Sequence, residues 1–164
     1  MNKRTLALLL LVTSQCLFLT LWAGYHEWVL QRGEVILLRT RPVDPRDIVR
    51  GDYMILNYDI SSVFDAAGFQ PGQEVFVILE KRGEFHEAVG VSESMPPVSA
   101  HQRVARGTIK SSWGGKRVEY GIEQFFVPEG KGTPSSRNIT VQVVLSPQHR
   151  LNIKTVLADG KPYP

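Results

Sequence analysis

Asp44, Asp47 and Asp52 stand within nine consecutive positions, with Arg46 and Arg50 between them. Carboxylates in such a cluster are the groups that serve acid–base chemistry or hold a divalent cation. A calcium loop takes oxygen ligands at alternate positions, which this spacing does not supply, and the interleaved guanidinium groups would neutralise a cation site. The competing reading is a salt-bridged corner, braced by Pro42 and Pro45, whose aspartates accept nearby backbone N–H bonds. Glu123 and Glu129, with Glu119 nearby, form a second acidic group. Two carboxylates from separate strands make a glycosidase pair when their separation suits. A hydrolase in this chain would therefore be built from Asp47, Asp52, Glu123 and Glu129.

Other chemistry is poorly supported. His26, His86, His101 and His149 have no ligand-type partner at a spacing that makes a motif, so no metal is expected. No nucleophile elbow, glycine-rich phosphate loop or H-E-x-x-H sequence is present, and no cofactor is expected. The single cysteine, Cys16, excludes an intrachain disulfide. Gln15 occupies the place where a lipid-attachment signal needs a small residue, so Cys16 is read as a small hydrophobe. Arg50-Gly51-Asp52 matches an adhesion tripeptide, but three residues match by chance, and Gly51-Asp52 already serves as a turn into the next strand. The net charge is +3, and setting aside Lys3 and Arg4 leaves 17 basic against 16 acidic side chains. Such a balanced, interspersed surface is no footprint for nucleic acid.

The elements that must position these residues begin with an apolar run. Residues 1–4 are a short basic start, and Thr5 to Ala23 follows without a charge. At 1.5 Å per residue this run spans about 28 Å, the hydrocarbon thickness of a bilayer. Trp22, Tyr25 and Trp28 cluster where an aromatic belt would lie. A cleaved signal peptide would have a shorter core ending in small residues, and bulky Trp22 argues against it. The expected order is a cytoplasmic tail at 1–4, a transmembrane anchor at 5–23, a juxtamembrane segment at 24–32 and an extracytoplasmic domain at 33–164. The basic start places the N-terminus in the cytoplasm.

Beyond Gly33 the pattern is β-rich. Strands are expected at 34–41, 53–58, 74–80, 84–91, 104–110, 116–122, 139–145 and 151–157, with a helical turn at 61–68 and a hairpin tip at Arg82-Gly83. Along 53–58, Met54, Leu56 and Tyr58 share one face and Tyr53, Ile55 and Asn57 the other. Residues 129–138 collect Gly, Lys, Pro and Ser and are expected to form the most mobile loop. The fold class is all-β, a small antiparallel barrel or sandwich preceded by one N-terminal transmembrane helix.

Gly51-Asp52-Tyr53, Leu56 and Tyr58 spell the signature of the GDYXXLXY proteins, and the chain resembles that family over most of its length after residue 33. The resemblance extends through Asp44-Pro45-Arg46-Asp47, through Tyr120-Gly121-Ile122-Glu123 and through Pro128-Glu129-Gly130. It implies no established activity; it implies association with multi-spanning membrane proteins. Arg50 to Asn57 is also similar to the segment after the nucleophile in type I signal peptidases. No Ser, Cys or Thr follows Thr40 in that region and no general-base lysine has a counterpart, so the likeness argues against that activity. The expected role is a non-catalytic module in the cytoplasmic membrane, held in the bilayer by residues 5–23 and docking to, or regulating, a multi-spanning membrane protein through its motif residues. The alternatives are a hydrolase of the cell envelope and a glycan- or peptide-binding module lined by Trp113, Tyr120, Phe125 and Phe126.

Overall fold

The computed structural model describes residues 2–41, 53–62, 68–112, 115–127 and 138–163, which fall into two compact units, Met1–Gly33 and Glu34–Pro164. The first is one helix, α1, Lys3–Arg32. It is long and apolar enough to cross a membrane. The leucine-rich run needs no tertiary partner to become helical, since its straight-chain side chains lose little freedom there. Ser14 and Thr20 return their hydroxyls to the carbonyls of Leu11 and Cys16, at 2.9 and 2.8 Å. The segment 24–32, expected only as a juxtamembrane stretch, continues the same helix. The helix closes where the Gly33 N–H donates to the Val29 carbonyl at 2.8 Å.

The second unit is all-β, a curled antiparallel half-barrel. Its strands are β1 (Glu34–Arg41), β2 (Tyr53–Ile55), β3 (Asn57–Tyr58), β4 (Glu74–Arg82), β5 (Phe85–Ser92), β6 (Gln102–Ser112), β7 (Gly115–Glu119), β8 (Gln124–Phe126), β9 (Ile139–Leu145), β10 (Leu151–Ala158) and β11 (Lys161–Tyr163). They form a five-stranded sheet in the order β11-β10-β9-β1-β3, a four-stranded sheet β5-β4-β6-β7 and a two-stranded ribbon β2-β8. β4 shows why these segments form strands. Val75, Val77 and Leu79 alternate into the core, fully buried, while Phe76, Ile78 and Glu80 on the other face are only half-buried. Ile36 and Leu38 of β1, Ala105 and Ile109 of β6, and Val141 and Val143 of β9 complete the same core. Register shifts between Ile78 and Leu79 and between Ile153 and Thr155 bend the sheets, as bulges do. β6 and β7 approach so closely at Gly107 that an added Cβ would lie 2.3 Å from Val118 Cγ1.

Several boundaries differ from the pattern-based expectation. The hairpin turns at Gly83-Glu84, because Arg82 still pairs with Phe85. A 3-10 turn covers Asp59–Ser61, and most of the helical turn expected at 61–68 lies outside the described residues. Residues 116–122 are not one strand, since β7 ends at Glu119 and β8 starts at Gln124. β11 follows the Asp159-Gly160 turn as an unforeseen third strand. The stretch 53–58 keeps its alternation: Met54, Leu56 and Tyr58 are buried, and Ile55 and Asn57 half-buried. It nonetheless splits at Leu56, with β2 pairing to β8 and β3 to β1.

This register predicts unequal costs for adjacent substitutions. Leu56→Asp places an unpaired charge in the core and is expected to lower unfolding stability by about 3–5 kcal/mol. Asn57→Asp, one residue on and half-buried near Arg117, is expected to change it by less than about 1 kcal/mol. Denaturant unfolding of the two variants checks the difference.

Candidate functional site

The turn between β7 and β8 is built from Tyr120, Gly121, Ile122 and Glu123. Leaving the β6–β7 ladder, it has backbone donors with no strand opposite them. Glu123 supplies acceptors from within the turn: one carboxylate oxygen accepts the Tyr120 N–H at 2.6 Å and the other the Gly121 N–H at 2.9 Å. Gly121 has φ +81, a conformation that side chains with a Cβ rarely adopt, so the turn requires glycine here. Such charge-assisted bonds to backbone N–H groups are about twice as strong as neutral ones.

Two tyrosines then tie this turn to the segment 56–60. The Tyr58 hydroxyl donates to the Ile122 carbonyl at 2.8 Å, and the Tyr120 hydroxyl donates to the Ile60 carbonyl at 2.7 Å. Each tyrosine thus reaches across to the backbone beside the other. A third bond runs from the Leu56 N–H to the Glu123 carbonyl at 2.8 Å. Leu56 and Tyr58 are 1% exposed and Tyr120 is 7% exposed, so the tyrosine side of the brace lies inside the protein, while Gly121 is exposed and Glu123 half-buried at its rim. Burial, reinforced by the negative charge of Glu123, raises the pKa of both phenols far above the ordinary value. The hydroxyls therefore remain donors at any physiological pH.

Neighbouring groups lock the surroundings. Arg117 on β7 bonds Glu119 at 2.6 Å and reaches the Asn57 side-chain oxygen at 3.5 Å, while its Nε is buried without a partner. Lys116 donates to the Phe69 carbonyl at 2.5 Å. On β8, Phe125 packs against the core and Phe126 on the opposite face is 78% exposed. With Tyr120 in the interior, these three rings do not line one pocket.

Asp44, Pro45, Arg46, Asp47, Arg50, Gly51 and Asp52 lie outside the described residues, as do Trp113, Pro128, Glu129 and Gly130. The structure therefore brings together Leu56, Tyr58, Tyr120, Gly121 and Glu123, and places Tyr53 at the start of β2 opposite Phe126. Sequence reasoning had all of these as motif residues but not the crossed arrangement of their hydroxyls. The signal for the break in the strand was Gly121, an isolated glycine inside an otherwise strand-like run. Among the described residues no group of three or more His, Cys, Asp or Glu is placed to hold a metal ion. His86 is the one buried histidine among them, and its Nδ1 has no hydrogen-bond partner.

The fold and this brace define the class: an all-β domain behind an N-terminal apolar helix, closed by a motif of tyrosines and a turn-capping glutamate. The chain matches the sequence model of the GDYXXLXY protein over residues 15–156, and it belongs to that family. No curated protein and no solved structure is significantly similar to it.

Two measurements test the brace. Tyr58→Phe and Tyr120→Phe each strip the bond from a buried carbonyl and are expected to cost about 1–3 kcal/mol. A double-mutant cycle should give a coupling energy of about 0.5 kcal/mol or more, since both tyrosines hold the same two segments. Unfolding of the single and double variants reads this directly.

A pH dependence follows from His86. Burial, then the charge of Lys81, lower its pKa below 6.5; Glu34 opposes them, and Arg103 adds a smaller lowering effect. The unfolded chain therefore takes up the proton first, and stability present above about pH 6.5 is lost as the pH falls towards the folded pKa. His86→Asn should flatten this part of the stability–pH profile, measured by thermal unfolding between pH 7.5 and 5.

Proposed function

We propose that this protein is a single-pass protein of the cytoplasmic membrane whose β domain stands on the extracytoplasmic side and works without catalysis, by docking to or regulating a multi-spanning protein of the same envelope. The observation that carries this reading is the occupation of the family's own chemical groups. Both Glu123 oxygens hold backbone N–H groups, and both motif hydroxyls hold backbone carbonyls. A general acid or base must be free to exchange a proton with a substrate, and a carboxylate that closes a turn is not. The motif thus builds a rigid body, and recognition falls to charged groups outside the brace, Arg46 and Arg50 foremost.

The anchor reading draws on the length and composition of α1, on Lys3 and Arg4 before it, and on the rings near its far end. Tyr25 and Trp28 stack at 6.3 Å, and Trp22 meets His26 edge-on at 4.6 Å. Amphipathic rings of this kind sit at the headgroup level of a bilayer.

The topology test is an alkaline phosphatase fused after Pro164, expected to be active, together with the mass of the membrane-bound chain, expected to include residues 1–23. Loss of those residues would mean a cleaved signal. The docking test pairs melting temperature with recovery of the multi-spanning partner from detergent extracts. Arg46→Ala and Arg50→Ala are expected to weaken recovery several-fold with little change in melting temperature, because rim charges act mainly on encounter. Asp47→Ala and Asp52→Ala variants that fold normally but lose a hydrolytic activity would overturn the non-catalytic reading.

A further inference from the structure

The inference here rests on reading α1 as membrane-spanning. Inside the hydrocarbon no water satisfies polar groups, so each must find its partner in protein. Short hydroxyl side chains solve this on their own helix, as Ser14 and Thr20 do. Gln15 cannot. Its carboxamide offers two donors and an acceptor, the helix N–H groups around it are spent on the ladder so that its oxygen finds no donor there, and it makes no side-chain hydrogen bond among the described residues. It also stands one residue past the midpoint of the uncharged run Thr5 to Ala23, where the cost of leaving it unpaired is greatest.

The residues in line with it form a regular face. Leu8, Val12, Gln15, Leu19, Trp22 and His26 follow one another at alternating spacings of four and three. That is the 3.5-residue repeat of two helices wound left-handed about each other, with Gln15 at a central knob position. A single polar residue at such a position sets register and partner number in helix pairs.

We propose that α1 pairs in parallel with α1 of a second copy of this chain along this face, with the two Gln15 carboxamides hydrogen-bonded to each other near the middle of the bilayer. Symmetry and chemistry favour a second copy over any other occupant. Copies inserted in one orientation hold Gln15 at the same depth, and a two-fold axis brings identical positions into contact. The carboxamide is both donor and acceptor, so two of them complete each other without a third group. Any other helix would need its own polar side chain at that depth.

The test uses the full chain in bacterial inner membranes, in a Cys16→Ser background, with single cysteines introduced and oxidised by copper–phenanthroline. Val12→Cys and Leu19→Cys, on the face, are expected to give disulfide-linked dimer. Leu10→Cys and Leu17→Cys, on the far side, are expected to give little. Adding Gln15→Leu to the Leu19→Cys chain should reduce dimer about fivefold, the size of effect a buried interhelical hydrogen bond supplies in a membrane, whereas Gln15→Asn should retain most of it. Equal cross-linking at all four positions, or no effect of Gln15→Leu, overturns the pairing while leaving the anchor intact. Cross-linking of Leu19→Cys to a different protein overturns it in favour of a partner's helix. Alkaline carbonate treatment separates the two levels: a chain released into the supernatant refutes the anchor and the pairing together.

Discussion

Glu123 closes a turn by accepting its two leading N–H groups, one part-buried and one exposed, and the tyrosine brace is arranged around that closure. Three sheets meet there. Tyr120 continues directly from β7 of the four-stranded sheet, Glu123 leads into β8 of the ribbon, and Tyr58 is the last residue of β3 in the five-stranded sheet. Bonds from Leu56, Tyr58 and Tyr120 cross between these elements within a few residues of one another. Unmade hydrogen bonds inside a protein cost more than made ones contribute, so each member depends on the others being in place. Among the described residues, the signature positions Leu56 and Tyr58 accordingly mark where the strands change partner.

Away from the brace the sheets are tied together more lightly. Arg103 of β6 bonds Glu34 of β1 at 2.5 Å, and the Arg106 N–H donates to the His149 carbonyl at 2.7 Å, joining β6 to the turn between β9 and β10. Arg39 lies over the Phe85 ring at 4.4 Å, linking β1 to β5. Exposed ion pairs such as Arg82–Glu87 and Arg106–Glu74 add little to stability. They do keep the surface mixed in sign, without a single-sign field. Stability in this domain comes from the alternating Val, Ile and Leu faces and from the buried polar brace.

The β domain and the helix treat their polar groups differently. The β domain ties most of its buried polar groups to one another, with His86 Nδ1 and Arg117 Nε left over among the described residues, whereas the helix returns two hydroxyls to its own carbonyls. Under the function proposed above, the occupied Glu123 carboxylate and the polar residue midway along the apolar run are both features of association.

Much of this was legible from residue order alone. Apolar, β-branched runs identified β1, β4, β9 and β10 nearly to the residue, and in β1 and β4 period-two alternation also separated the core face from the other. The length and lack of charge of the apolar run located the first two-thirds of α1, but not its continuation through residues 24–32. The Tyr53 to Tyr58 alternation was legible too, but not the change of partner at Leu56, since pairing is decided by which strand arrives alongside. Nor could composition reveal that Glu123 turns its carboxylate back onto the amides three and two residues before it, or that Tyr58 and Tyr120 exchange backbone contacts across a separation of some sixty residues. Those contacts depend on chain closure: only when the sheets have curled does a carbonyl at residue 60 lie within 2.7 Å of a hydroxyl at residue 120. Local pattern specified the pieces, and the long-range bonds of the two buried tyrosine hydroxyls decided how they were joined at the brace.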